Sequence, residues 1–541
     1  TWSHEYGLNH VDAFLSHQNY KTGIDQSYVT VTGQLLPGIY ALSNFKNDAD
    51  NPSRLSQGIL DIASETYLAR ARYNYDQKYF LEASLSRDGS SRFAKDKRWG
   101  TFWSVGGSWI LSKEKFLQNA NWINFLKLRA SYGTVGNDLA ANYINYTDLY
   151  APWSKGFVAV TLANPDLRWE ATGSVDVALE GSLFNDRFNF SVGYFNKYNS
   201  DLIYKYALAG STGLIPGSTG FGSNPYIIRN IGTMSNSGWE LNFGVDIIRN
   251  REFTWDFNID FTFMKNEIVR LPDGKDLPNA SRFQGRSIYE HYVYDYAGVD
   301  QINGRSLFRM HRDSPDFMSY DPKNGNKMIP DDTKWNKAVQ DAQNEGTYVE
   351  IDGVPYSYNS AHAGRILKGT ALPTVFGSFS TGLHWKGINF GALFTYSLGG
   401  KIMDSNYQSL MLAGSVSAVH VDMLNSWKEM PEGMTADSPN RIDPNGIPQN
   451  NKTYAMYNGS DSSRWLVSGS YLTLKNINLS YDLPSKWMEA MKLQGINIGF
   501  SMDNVFIVAA RKGLNPTYSF SGGQGAFYVP ARTYTFQLAV K

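Results

Sequence analysis

Between residues 84 and 137 the chain alternates apolar and polar side chains in three segments. Trp103, Val105, Trp109 and Leu111 fall on one face of the middle segment, and Phe102, Ser104, Gly106 and Ser108 on the other. In the next segment Leu126, Leu128, Ala130 and Tyr132 oppose Lys127, Arg129 and Ser131. A period of two with one apolar and one polar face predicts strands. The connections differ: Arg87 to Arg98 is a charged loop, and Ser112 to Asn124 reads as a short helical turn.

The same alternation recurs along the chain and predicts about fourteen strands of roughly ten or more residues, the length of membrane β-strands. The first, near 3–20, is the least regular. Tyr67 to Tyr75 turns through YDQK into Tyr79 to Leu85. SVDVALEGSLF turns at Asn185-Asp186 into RFNFSVGYFNKY. In the clearest hairpin, 239–264, Trp239, Leu241, Phe243, Val245 and Ile247 lead through RNRE into Phe253, Trp255, Phe257, Ile259, Phe261 and Phe263. Val375 to Trp385 turns at Lys386-Gly387 into Phe390 to Leu398, and three more strands center on Leu479, Ile498 and Phe536.

Connection lengths alternate as well. YDQK, ND, RNRE and KG are short, and SKEKFLQNANWIN and PSKWMEAMKLQ are short helical turns. Between them lie long connections at about 21–58, 135–171, 204–235, 269–373, 400–469 and 507–530. Strict alternation of short turns and long loops is the habit of an outer-membrane barrel, with the long loops outside. Connection 269–373 is long enough to hold structure of its own, and HYVYDYAGVD reads as a β-ribbon within it. A soluble sandwich or propeller is the competing architecture. It does not require a polar face this uniform, and no blade-length repeat is present.

Composition narrows the picture. Lys plus Arg number 50 and Asp plus Glu number 50, so charge gives no argument for nucleic acid. Cys is absent, which rules out disulfides and cysteine metal sites. Mean hydropathy is −0.38, yet alternating lumen residues hide a barrel from such an average. The start, TWSHEYGLNH, lacks the basic and apolar regions of a signal peptide, so the expectation is a processed or internal beginning.

The block RDGSSRFAKDKRWGTFWSVGGSW resembles the signature hairpin of the SusC/RagA family, TonB-dependent transporters of the Bacteroidota outer membrane. LKLRASYGTVGN, NPDLRWE (164–170), YAGVDQINGRSLF (296–308), SYLTLKNINLSYDLP (470–484) and ARTYTFQLAV (531–540) resemble it too, in the family's order. The resemblance implies an all-β transmembrane antiparallel barrel of roughly 22 strands plugged by an N-terminal domain. Residues 1–541 would then be the C-terminal part of the barrel, with the plug and the remaining strands supplied by another chain or segment. It also implies a SusD-like surface lipoprotein lid and a TonB complex as partners, beside lipid and lipopolysaccharide. Lys541 departs from the aromatic end usual in this family, and the expectation is that a further residue follows.

No HExxH, GxSxG or P-loop occurs. No catalytic residue is expected, and acids such as Asp176, Glu180, Asp246, Asp256 and Asp260 read as a hydrated barrel wall. His384, on a polar face, reads as a lumen residue. The loop SYDPKNGNKMIPDD makes Asp321, Asn324, Asn326 and Asp331 a weak calcium candidate, although the EF-hand spacing fails. No other cofactor is expected. The charged loop 87–98 reads either as a solvated hairpin tip or as a contact for lipopolysaccharide phosphates or an external partner. Long-loop aromatics suit sugar rings and apolar peptide side chains. Tyr150, Trp153, Tyr226, Trp427, Tyr518 and Phe520 are the substrate-binding candidates, against the alternative that such rings only pack the loops together. The expected function is TonB-dependent import of an oligomeric glycan or peptide. The rivals are a passive fourteen-strand channel and a barrel used as a docking platform.

Overall fold

The protein is described from a computed structural model covering residues 1–45, 54–138, 149–153, 156–208, 226–321, 327–412, 419–523 and 530–540. Its main sheet contains fifteen strands among the described residues, in strict chain order from one end to the other. They are β1 (Trp2–Tyr6), β2 (Asn9–Thr30), β3 (Arg54–Tyr75), β4 (Tyr79–Ser90), β5 (Trp99–Ile110) and β6 (Ile123–Asn137). Next come β7 (Glu170–Leu183), β8 (Phe188–Ser200), β9 (Thr233–Arg249), β10 (Phe253–Arg270) and β11 (Val375–Trp385). The last are β12 (Ile388–Leu398), β13 (Tyr471–Asp482), β14 (Ile496–Ala509) and β15 (Thr533–Val540). Alternation predicts about fourteen strands; β1 is the strand it does not separate from β2.

Two compact units divide the chain. One comprises Thr1–Trp109, Ala130–Val175 and Asn199–Gly232. In it β2 and β3 pair antiparallel from Asn9↔Tyr75 to Thr30↔Arg54. They run into the connection expected at 21–58, β2 to Thr30 and β3 from Arg54, so that connection is shorter. Asp76 and Gln77 take φ of 52° and 48°, the left-handed geometry that lets a tight turn match strand twist. β4 pairs with β3 from Ser64↔Ser90 to Tyr75↔Tyr79, and with β5 from Tyr79↔Trp109 to Gly89↔Trp99.

The charged loop 87–98 is not a freely solvated tip. Phe93 is fully buried with Leu167 and Ile228, and Trp169 packs on Phe93 at 5.4 Å. The Trp169 indole donates to the Arg98 carbonyl at 3.0 Å. The NPDLRWE segment thus anchors the hairpin tip.

The other unit comprises Ile110–Arg129, Asp176–Tyr198 and Thr233–Lys541. β9 and β10 pair from Thr233↔Arg270 to Arg249↔Thr254. β10 then pairs directly with β11, Phe253 opposite Trp385. Among the described residues connection 269–373 therefore adds no strand to the main sheet, and the short-long parity holds. HYVYDYAGVD is two strands in separate small sheets rather than one ribbon, because Glu290–Tyr294 pairs with Arg365–Thr370 and Tyr296–Asp300 with Ser306–Arg309. The turn at Ser112–Asn124 is not α-helical: Leu111–Lys113 is a 3-10 turn, followed by i→i+3 bonds such as Leu117 N–H to Glu114 at 3.0 Å. So short a segment does not sustain an α-helix without a packed face. Ser485–Met491 is helical, as PSKWMEAMKLQ predicts.

In each unit the apolar faces of the strands are left open. Leu85 is 52% exposed in the first unit, and Leu479, Ile498 and Leu538 are 47%, 52% and 68% exposed in the second. Register puts Leu479 opposite Phe390 and Phe500, and the Phe500 ring lies 5.1 Å from that of Phe536, tilted by 48°. Apolar surface continuous over several strands is a membrane contact, not a water-facing sheet.

Candidate functional site

Two long connections of the second unit, those after β10 and after β12, fold into a layer of their own. Five short strands lie in the order Tyr348–Ile351, Val354–Ser357, Ser306–Arg309, Tyr296–Asp300, Ile442–Asp443. The helix α1 (Asp332–Asn344) is capped by Asp331, whose carboxylate accepts from the Thr333 and Lys334 amides. Leu307, Ile351 and Tyr358 form one small core, and Phe308, Met310 and Ala363 another, with Trp335 and Val339 of α1 against it.

Charged pairs pin this layer. Asp300 is fully buried and accepts two bonds from Arg441, at 3.1 and 2.9 Å, and one from the Tyr358 hydroxyl at 2.6 Å. Burial opposes its ionisation, but the Arg441 and Tyr358 bonds outweigh it and hold the carboxyl below its usual range. Arg365 donates to both oxygens of Asp316 at 2.9 and 3.1 Å and lies over the Tyr292 ring at 4.4 Å. Asp295 meets His311 at 2.8 Å and Lys368 at 2.7 Å. Burial raises its pKa, but the His311 and Lys368 bonds prevail and bring it to about 2. Burial pushes the Tyr296, Tyr358 and Tyr407 hydroxyls up to about 12, so all three remain neutral donors. What this layer offers chemically is shaped, noncovalent contact.

The predicted binding aromatics separate into different environments. The Trp427 indole donates to the Gln301 carbonyl at 3.1 Å, and its ring fills the space above Gly304, where an added Cβ would stand 2.2 Å away. Tyr226 packs on the Phe93–Leu167–Ile228 cluster under the Lys205 ammonium, at 4.8 Å. Tyr518 ends the 3-10 turn Pro516–Tyr518 and is half-buried. Phe520 is 72% exposed and meets Tyr289 edge-on at 5.4 Å. Tyr150 and Trp153 fall in the strand Leu149–Trp153, and their side chains lie outside those described. Two other loop rings are structural: Trp465 is almost fully buried, and Tyr407 carries the Arg511 guanidinium 3.6 Å above it. Sequence reasoning missed exposed aliphatic side chains on the same layer, Val421, Leu424 and Met456. No alternation marks them, because they sit in short turns.

Of the calcium candidates, Asp331 is the cap of α1, Asp321 ends the strand Met318–Asp321, and Asn324 and Asn326 lie outside the described residues. Among the described residues no group of three His, Asp or Glu is placed to hold a metal ion. The polar-face acids of the sheet are engaged with neighbours. Glu180 accepts from Arg129 at 2.7 Å, Asp176 pairs with the same guanidinium, and Asp260 accepts from the Ser378 amide at 3.0 Å and from its hydroxyl. His384 Nδ1 bonds Asn389 at 2.5 Å across the β11–β12 hairpin.

Comparison with known proteins agrees with this architecture. The family model for TonB dependent receptor-like β-barrels matches residues 1–336. TonB-dependent receptor P39 of Formosa agariphila is 29% identical over 482 residues, 84% of this chain and 43% of that protein. TonB-dependent receptor SusC of Bacteroides thetaiotaomicron is 25% identical over 509 residues, 88% of this chain and 43% of that protein. The chain thus spans less than half the length of these curated relatives. The solved RagAB peptide transporter superposes with a TM-score of 0.74 at 21% identity, covering 100% of this chain and 54% of the solved one.

Proposed function

The chain belongs to the TonB dependent receptor-like β-barrel family, and from that premise we propose that it forms the barrel wall and outer loops of an active importer for oligomeric peptides or glycans. The observation that carries the proposal is the pairing of two features in one chain. Strands with lipid-type apolar faces carry, between them, loops that fold into a pinned, aromatic-bearing layer. A passive pore needs the first feature and not the second. The loops meet the substrate, and a SusD-like lipoprotein closes over them. Energy comes from a TonB complex acting on a plug domain, and no covalent chemistry takes place. The likeness to SusC and to the RagAB peptide transporter supports this reading. The linear strand order also supports it, since an unpaired sheet edge in lipid is strongly disfavoured and calls for further strands beside β1 and β15.

The test is uptake of labelled oligopeptides and oligosaccharides by cells carrying the full-length protein, with and without a working TonB system. Uptake that stops when TonB is inactivated supports the importer. Uptake unchanged by that loss supports a passive channel, and no uptake of either class favours a docking platform.

A further inference from the structure

On the apolar face of the first unit, register lines up side chains of β2 to β5 in rows. Leu15, Ala69, Leu85 and Trp103 form one row, and His17, Tyr67, Arg87 and Thr101 the next toward the long-loop end. The lower row leaves a groove, because Ala69 is small between Leu15, which is 78% exposed, and Leu85. The groove is lined by Leu15, His17, Tyr67, Ala69, Leu85 and Arg87.

The upper row is a built aromatic and charged shelf. His17 stacks on Tyr67 at 4.5 Å, and Tyr67 lies 6.1 Å from Trp99. Glu65, the nearby acid, accepts from the Tyr67 hydroxyl at 2.6 Å and meets His17 at 3.0 Å. Arg87 makes no described pair with a carboxylate. Its guanidinium lies 5.7 Å from the Trp99 ring center and donates to the Thr101 hydroxyl at 3.2 Å. A guanidinium facing away from the polar wall, on a shelf of rings directly above an apolar groove, complements an amphiphile with a phosphate head and an acyl chain.

We propose that this groove binds a phosphorylated glycolipid of the outer leaflet, a lipopolysaccharide, with an acyl chain over Ala69 between Leu15 and Leu85 and a lipid A phosphate on Arg87. The choice of leaflet rests on the family reading that places long loops outside the cell; the choice of head group rests on the Arg87 charge. The site would fasten the β2–β5 edge of the wall to the leaflet, apart from any substrate path.

The experiment uses the full-length protein, delipidated in detergent, and three probes: lipid A, dephosphorylated lipid A and phosphatidylglycerol. Binding is read by native mass spectrometry and by the shift in thermal unfolding. Lipid A is expected to bind wild type about tenfold more tightly than it binds R87Q. Arg87→Lys should recover part of the loss, and Ala69→Phe should weaken binding by filling the groove. Dephosphorylated lipid A should bind wild type and R87Q alike. Equal binding of lipid A to wild type, R87Q and A69F overturns the site. Phosphatidylglycerol matching lipid A overturns the commitment to the outer-leaflet glycolipid. Cysteine labelling of loop residue 95 on intact cells tests orientation separately. An unlabelled loop would overturn the leaflet assignment while leaving the phosphate contact to stand or fall on R87Q.

Discussion

Replacing Asp300 by Ala should loosen the loop layer without unfolding the sheet. Asp300 has no exposed surface, and Arg441 retains only 9% of its side-chain exposure. The pair joins positions 141 apart in sequence, beside the two-residue ladder of Val299 and Asp300 with Asp443 and Ile442. Removing the carboxylate strands a buried guanidinium and frees the Tyr358 hydroxyl, a loss of about 3–5 kcal/mol for a broken buried pair. That corresponds to local opening increased on the order of 10²- to 10⁴-fold. Hydrogen exchange by mass spectrometry on the full-length protein reads it directly. Peptides spanning 296–309 and 441–443 should exchange faster by that factor, while β9 to β14 keep wild-type protection. The double variant D300A/R441M should recover much of the loss, since no charge is then left buried alone. Exchange of those peptides within threefold of wild type, or a double variant as damaged as the sum of the singles, would refute the reasoning.

Three further outcomes are expected. The Asp295 pKa of about 2 lies below the ordinary 3.8, so its contribution is present above pH 3.8 and lost as pH falls through 2. It amounts to about 2 kcal/mol and should appear as acid-labile protection around Asp295, His311 and Lys368 in exchange measured between pH 2 and 5. Leu479→Arg on the lipid face should destabilise the barrel by about 2–4 kcal/mol, seen as loss of the heat-modifiable band on gels, whereas Ser480→Lys on the polar face should not. Phe520→Ala should weaken ligand capture several-fold with stability held within about 0.5 kcal/mol, while Trp427→Ala should raise loop exchange whether ligand is present or not.

Alternation makes a strand legible only where its two faces meet different surroundings. In Leu81–Leu85 and Trp103–Val105 one face meets lipid and the other the polar wall, and the expected strands match the sheet. From Lys21 to Thr30 no such division shows, as Gly23, Ile24, Asp25 and Gln26 follow without a pattern. Yet the ladder continues there to Thr30↔Arg54, because backbone pairing needs no apolar face. The same limit explains the second hairpin, whose ladder runs past Trp239 and Met264 to Thr233↔Arg270. Loops estimated from lost alternation therefore come out too long.

In the loop layer the deciding information is which distant residue lies alongside, and no local period encodes that. Trp465 and Phe520 look alike in sequence, each an aromatic among Ser and Arg or Gly. One is buried with Met411 and Met423, and the other is largely exposed and meets the Tyr289 ring edge-on. Choosing ligand contacts by aromatic content therefore mixes cores with surfaces. The balanced charge conceals a parallel division. Asp300 with Arg441, Asp316 with Arg365, and Asp295 with Lys368 are spent inside the layer, while Glu180 with Arg129 lies along the polar wall. Arg87 carries its charge on the apolar face, where a solvated surface would not require it and a phosphorylated lipid would.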